Sequence, residues 1–160
     1  MDIKSFEYKN LVEKLIGKPV VFIPVQKVEK IQKEMEKDVP KTQCLKVASL
    51  RKKYGDENID LEKWMAMPNN LYTGRRGRIF IGSGDEKRIF HYSDSKWGNP
   101  YIVPEYSLEE SLKLYEIHVR EKLLKDIQEL EGKTLGCFCD QSQPCHTKIL
   151  VKLFKEFYNI

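Results

Sequence analysis

The chain reads as an α/β protein: one Rossmann-like layered domain with a β-hairpin insertion and an N-terminal α-β-α extension. Three observations predict this. Leu135 to Cys139 is a short apolar stretch of small residues that follows the turn glycine Gly132 and precedes an amphipathic helix. A capped helical stretch from Ser107 to Leu130 lies just ahead of it and returns the chain to that strand. A helix between two strands implies a crossover, hence parallel pairing. At 160 residues the chain is long enough for one well-cored domain, or for one domain with an extension.

Taken in order, residues near Ile3 to Ile16 place Leu11, Val12, Leu15 and Ile16 at helical spacing before Gly17. Pro19 to Val25 is apolar and β-branched between breakers, which predicts a buried strand or extended segment. Gln26 to Lys37 predicts a second helix, with Val28, Ile31 and Met35 on one face and a solvated charge run elsewhere. The break at Asp38 to Thr42 divides an extension, residues 1–41, from a core domain, residues 42–160. Cys44 to Leu50 is expected to be the first core strand. Arg51 to Asn70 is polar and turn-rich, with a short helix around Leu61 to Met67 in which Trp64 is a packing anchor. Arg78 to Ile81 and Lys87 to Tyr92 flank Gly82-Ser83-Gly84-Asp85-Glu86 and predict a β-hairpin. Ser107 and Glu110 form a capping box, and Leu108, Leu112, Tyr115, Val119 and Leu123 follow at three- and four-residue steps, with a break expected near Leu124. His118 has no partner visible in the sequence and reads as structural.

Charge restricts the partners only weakly. Lys and Arg number 28 against 24 Asp and Glu, a formal charge of +4 that permits an anionic partner without demanding one. The first ten residues carry no apolar signal region, and no run approaches the roughly 18 apolar residues of a membrane span. The expectation is an intracellular protein on the reducing side, with no membrane partner. No repeat or low-complexity stretch occurs. Ala48 and Ala66 are the only alanines amid abundant Lys, Ile and Glu, a bias associated with A+T-rich coding.

The chemistry is concentrated between Gly132 and Ile160. Three of the four cysteines, Cys137, Cys139 and Cys145, and one of the three histidines, His146, fall within ten residues. The strand period of two puts Cys137 and Cys139 on one face. Pro144 suits the first turn of the helix bearing Ile149, Val151, Leu153, Phe154 and Phe157, with Ser142 or Gln143 as its cap and Cys145 and His146 in its first turn. Free amides and the positive dipole end there favour an anion, stabilise a thiolate and prefer a neutral imidazole.

Three readings of that segment stand side by side. Cys137, Cys139, Cys145 and His146 are zinc ligands, although C-x-C-x5-C-H departs from standard finger spacing and an adjacent Cys and His seldom both reach one ion. Alternatively, Cys145 is a nucleophile or His146 an acid/base group at a phosphate-binding helix end. The third reading is of small buried cysteines beside a capping histidine. A disulfide between Cys137 and Cys139 is poorly placed across one strand residue. No carboxylate pairs with Cys145 or His146 in the sequence, so no triad can be assembled.

Two further stretches carry binding chemistry. Gly74, Arg75, Arg76, Gly77 and Arg78 combine close backbone approach with guanidinium forks that suit phosphate; the plainer alternative is a glycine turn with solvated arginines. In the loop Ser95-Lys96-Trp97-Gly98-Asn99-Pro100, Trp97 offers a stacking face or a core anchor, Lys96 an ammonium and Asn99 an amide. This loop and the Pro144 to Thr147 helix start are expected to converge on one pocket beyond the strand ends, with Trp97 within side-chain reach of Cys145 or His146.

The glycine-arginine step after Leu71-Tyr72, the Ser-Lys-Trp-Gly-Asn-Pro loop and Gly-Lys-Thr-Leu-Gly-Cys-Phe-Cys followed by Pro-Cys-His together resemble the domain-of-unknown-function family numbered four-three-two-six, found in bacteria, phages and large DNA viruses. The resemblance covers about Leu45 to Phe154 and rests on Lys96, Trp97, Gly98, Asn99, Pro100, Cys137, Cys139, Pro144, Cys145 and His146. Two departures stand out: residues Arg76 to Asp94 are inserted relative to the compact bacterial form, and Phe138 stands where the family often has tryptophan. The family has no settled activity, so the resemblance implies a fold and a site without a reaction.

Two functions are therefore expected. One is a nucleotide- or nucleic-acid-directed protein, with catalysis left open, in which Arg75, Lys96 and the Cys145-His146 helix end surround a phosphate and Trp97 or Asn99 meets the base. The other is a non-enzymatic virion-associated or interaction protein with a structural Cys/His cluster, zinc included, whose extension supplies a partner or homo-oligomer surface.

Overall fold

The central strand of the protein is the apolar Cys/His-bearing segment anticipated from the sequence. In the computed structural model, which describes residues 37–160 and Gly17, a three-stranded parallel sheet has the order β1 (Lys41–Cys44), β5 (Thr134–Cys137), β2 (Asn70–Tyr72). The expected helix near Ile3 to Ile16, the strand Pro19 to Val25 and, apart from Lys37, the helix Gln26 to Lys37 lie outside the described residues. β5 pairs on both sides, Lys41 with Thr134 through Cys44 with Cys137, and Asn70 with Thr134 through Tyr72 with Gly136. A strand hydrogen-bonded on both edges and covered on both faces has no room for charge, and Thr-Leu-Gly-Cys carries none.

Residues 37–160 form one α/β unit. After β1 come α1 (Val47–Tyr54) and α2 (Leu61–Ala66), then β2. The antiparallel hairpin of β3 (Gly77–Ile81) and β4 (Arg88–Tyr92) follows, in register from Gly77 opposite Tyr92 to Ile81 opposite Arg88. Helix α3 (Leu108–His118) starts at a capping box in which Ser107 accepts from the Glu110 amide and Glu110 accepts from the Ser107 amide. It runs into a π-helical turn, Val119–Leu123, and a 3-10 segment, Leu124–Leu130, so the helical stretch breaks where the pattern predicted. Helix α4 (His146–Tyr158) closes the chain and ends on Asn159 in the left-handed region.

Successive residues of β5 serve opposite faces. Leu135 joins Trp97, Tyr115, Ile127, Leu150 and Phe154 in a core beneath α3 and α4. Gly136 faces the other core, of Leu45, Leu50, Ile59, Leu61, Trp64 and Tyr72, against which Ile79, Phe90 and Tyr92 of the hairpin pack. A Cβ on Gly136 would run into the Trp64 ring and the Leu45 methyl, so glycine is required there by close approach. Trp64 is fully buried, the packing anchor that the sequence predicted.

One expected strand is a helix. Leu45 to Leu50 lies in the turn into α1 and its first residues, and the strand of this region is the more polar Lys41–Cys44. The apolar residues Leu45 and Leu50 are spaced for a turn and a helix, while β1 owes its conformation to pairing with β5, which an alternation pattern does not register. β1 consequently begins at Lys41, one residue before the expected start of the core domain. Among the described residues no helix is long and apolar enough to cross a membrane.

Candidate functional site

The carboxyl end of β5 and the start of α4 bring Cys137, Cys139, Cys145 and His146 together. Their ligand atoms all lie within 4.8 Å of one another. Cys137 is the last residue of β5, on the face of α3 and α4, and the bend at Phe138 and Cys139 turns the second thiol toward the same point. The helix begins two residues later than Pro144 suggested. Cys145 is its N-cap, extended at φ −149° and ψ 149°, and His146 is the first helical residue. That change of conformation between neighbours lets both side chains reach one place, which the sequence reading judged unusual: Cys145 Sγ is 3.6 Å from His146 Nδ1 and 3.0 Å from Cys137 Sγ. No disulfide links them.

His146 is oriented from outside the cluster. Its Nε2 lies 2.7 Å from the Thr73 carbonyl oxygen, which can only accept, so Nε2 carries a proton and Nδ1 faces the sulfurs. The ring meets Tyr115 edge-on at 5.5 Å, and the Tyr115 hydroxyl donates to the Trp97 carbonyl at 2.6 Å. The Thr147 hydroxyl donates to Cys145 Sγ at 3.3 Å.

Proton sharing in the cluster is uneven. Contacts from Cys137 and Cys139, reinforced by His146, hold the Cys145 thiol far below its ordinary value despite its burial. Cys137, which shares those contacts and is itself buried, is pushed far above. Burial opposes a charge on His146, but the Cys139 and Cys145 sulfurs and the Thr73 carbonyl outweigh it and raise the imidazole to about 9.

The cluster forms one wall of a cavity of about 460 Å³ at the carboxyl ends of β5 and β2. Gly74, Arg75, Arg76 and Asn99, the tyrosines Tyr72, Tyr92 and Tyr101, and an apolar part that includes Val103, Leu108, Leu112 and Phe138 line the rest. The insertion does not carry Gly74 and Arg75 away from the Ser95 to Pro100 loop. The hairpin leaves after Arg76 and returns at Asp94, whose carboxylate accepts from the Arg76 amide, and the Ser95 amide donates to the Gly74 carbonyl at 3.0 Å. Gly98 packs so tightly on this junction that a Cβ would sit 3.0 Å from the Gly74 oxygen.

The loop itself contributes less than expected. Lys96 points elsewhere, its ammonium 2.7 Å from Glu129 and 3.4 Å from Asp126, and it stacks over the Trp97 ring. Trp97 is 1% exposed within the core beneath α3 and α4 and is not among the residues that line the cavity; Tyr115 stands against His146. The cause is packing: the indole fills the core between strand and helices, and Lys96 follows it to the acidic end of the 3-10 segment. Asn99 does line the cavity, but its amide donates to Ser111 and accepts from the Tyr101 amide, so it braces the loop. Arg75 is exposed and, among the described residues, enters no ion pair, while the Tyr72 hydroxyl donates to its carbonyl oxygen. Sequence reasoning missed Thr73, Tyr72, Tyr92 and Tyr101; the aromatic alternation Phe90 and Tyr92 beside Tyr72 and Tyr101 was the available signal.

Comparison with known proteins gives this arrangement a family. A protein of Acanthamoeba polyphaga mimivirus named Uncharacterized protein R718 is 33% identical over an alignment of 86 residues; the match covers 48% of this chain and 66% of that protein, a little under two thirds of its length. No solved structure matches the chain. The family described as Domain of unknown function (DUF4326) matches residues 58–156, which include the cavity-lining arginines and the whole Cys/His cluster, and the chain belongs to that family.

Proposed function

We propose that this protein binds a nucleotide, or a nucleic-acid end presenting the same groups, in the cavity at the carboxyl ends of β5 and β2. The observation that carries the reading is the lining of that one cavity, which combines Arg75 and Arg76, the tyrosines Tyr72, Tyr92 and Tyr101, and the N-terminus of the thirteen-residue helix α4. Guanidinium groups and helix amides favour phosphate, and tyrosine faces favour a base. A volume of about 460 Å³ falls within the range of small-ligand sites. In this reading Arg75 is the primary phosphate partner, Asn99 holds the loop, and Lys96 and Trp97 support the fold.

Isothermal titration of the full chain with nucleoside mono-, di- and triphosphates and with a short single-stranded oligonucleotide tests this. At least one of these should bind, and Arg75→Ala should weaken it about tenfold, the value of one charge-assisted contact. Heat effects indistinguishable from buffer for every ligand, or affinity unchanged in Arg75→Ala, would refute the reading.

A further inference from the structure

We propose that Cys137, Cys139, Cys145 and His146 bind one zinc ion in a closed site of three thiolates and one imidazole. The inference is independent of the nucleotide reading, because it concerns the wall of the cavity and not its occupant. The donor set is the first argument: four soft or borderline donors, all within 4.8 Å of one another, three of them almost fully buried. Bond lengths of about 2.3 Å to sulfur and 2.0–2.1 Å to nitrogen place tetrahedral ligands roughly 3.8 Å apart for two sulfurs and roughly 3.5 Å for sulfur and nitrogen. The separation of 3.6 Å between Cys145 Sγ and His146 Nδ1 meets the second value, and the 3.0 Å between Cys137 and Cys145 opens to the first by less than about 1 Å.

The surroundings are the second argument. A ligating histidine characteristically donates its other ring N–H to a carbonyl or carboxylate, and His146 does so to Thr73, which leaves the Nδ1 lone pair for the ion. The Thr147 hydroxyl donates to the Cys145 sulfur, as outer partners of bound thiolates do. A bound zinc ion displaces the thiol protons and supplies the positive charge that lets three thiolates share one buried corner. Occupancy gives all four side chains a structural task, tying the end of β5 to the start of α4, and takes Cys145 and His146 out of the roles of nucleophile and acid/base group.

The test uses the full chain purified under reducing conditions with zinc present, then dialysed against metal-free buffer. Elemental analysis should find one zinc per chain. Cobalt(II) in its place should give the visible bands of a tetrahedral ion and the near-ultraviolet bands of thiolate-to-cobalt charge transfer. Cys139→Ser should lose stoichiometric zinc, His146→Cys should keep it, Cys44→Ala should keep it, and Thr147→Val should weaken it about tenfold. Alkylation of the unmutated protein avoids any folding defect of the variants: the half-buried Cys139 should be protected by zinc and released by a chelator. Dialysed protein without metal, Cys139 alkylated equally fast with and without zinc, or an unchanged cobalt spectrum in Cys139→Ser would each overturn the proposal.

Discussion

Two stretches of this chain stand out by composition, the loop Ser95 to Pro100 and the segment Cys137 to His146, and the fold uses them in opposite ways. In the loop the ammonium, the ring and the amide are consumed internally: Lys96 by Glu129 and Asp126, the Trp97 ring by the core, the Asn99 amide by Ser111 and Tyr101. In the Cys/His segment the donors turn toward one another, and outside partners such as Thr73 and Thr147 orient them without pairing them off. Residue type alone does not mark a site. What marks it is whether the polar ends still have capacity once the neighbours have been counted.

The sharpest way to break this comparison is Trp97→Ala. If the loop is an architectural clamp, chemical denaturation should show a loss of about 3–5 kcal/mol, the range for an aromatic removed from a full core. A loss below about 1 kcal/mol would mean that the indole is free for another task. Lys96→Ala should do far less. Its ion pairs are solvent-accessible and worth about 0–1 kcal/mol, and affinity for any nucleotide that binds should stay the same; a tenfold loss of affinity would return Lys96 to the site.

The smallest effect lies away from both stretches, where Glu116 of α3 meets Arg120 and Lys152. These two partners hold its carboxyl below the usual glutamate range. A depressed folded-state value means that the stabilisation is complete above the unfolded value of about 4.3 and is lost as pH falls through the folded one. The stability difference between the native chain and Glu116→Gln should therefore be largest near neutrality, no more than about 1 kcal/mol, and shrink toward zero as pH falls from about 5 to 3. A difference that grows in acid would contradict the assignment.

Much of the fold was legible because local signals were strong. The capping box at Ser107, the glycine-centred hairpin and the uncharged β5 each state their conformation within a few residues. β1 was not legible: Lys41-Thr42-Gln43-Cys44 shows no alternation, and only its partner in β5 makes it a strand. The Cys/His cluster could be listed from spacing, but convergence of Cys145 with His146 depends on the conformational change at the N-cap, which spacing does not encode. The aromatic wall was hidden for a related reason. Tyr72, Tyr92 and Tyr101 come from β2, the hairpin and the loop after Pro100, and their meeting is a property of the chain path.

The central position of β5 has a bearing on how the chain is made. Among the described residues both β1 and β2 take their parallel ladder bonds from it, yet Lys41 must wait for Thr134 to leave the ribosome before it finds that partner. Contacts that far apart in sequence raise the loop entropy of the folding transition state, and unpaired strand edges invite association with other chains in the meantime. The sheet is thus assembled by its latest-arriving member, and until β5 emerges β1 and β2 are exposed to mispairing.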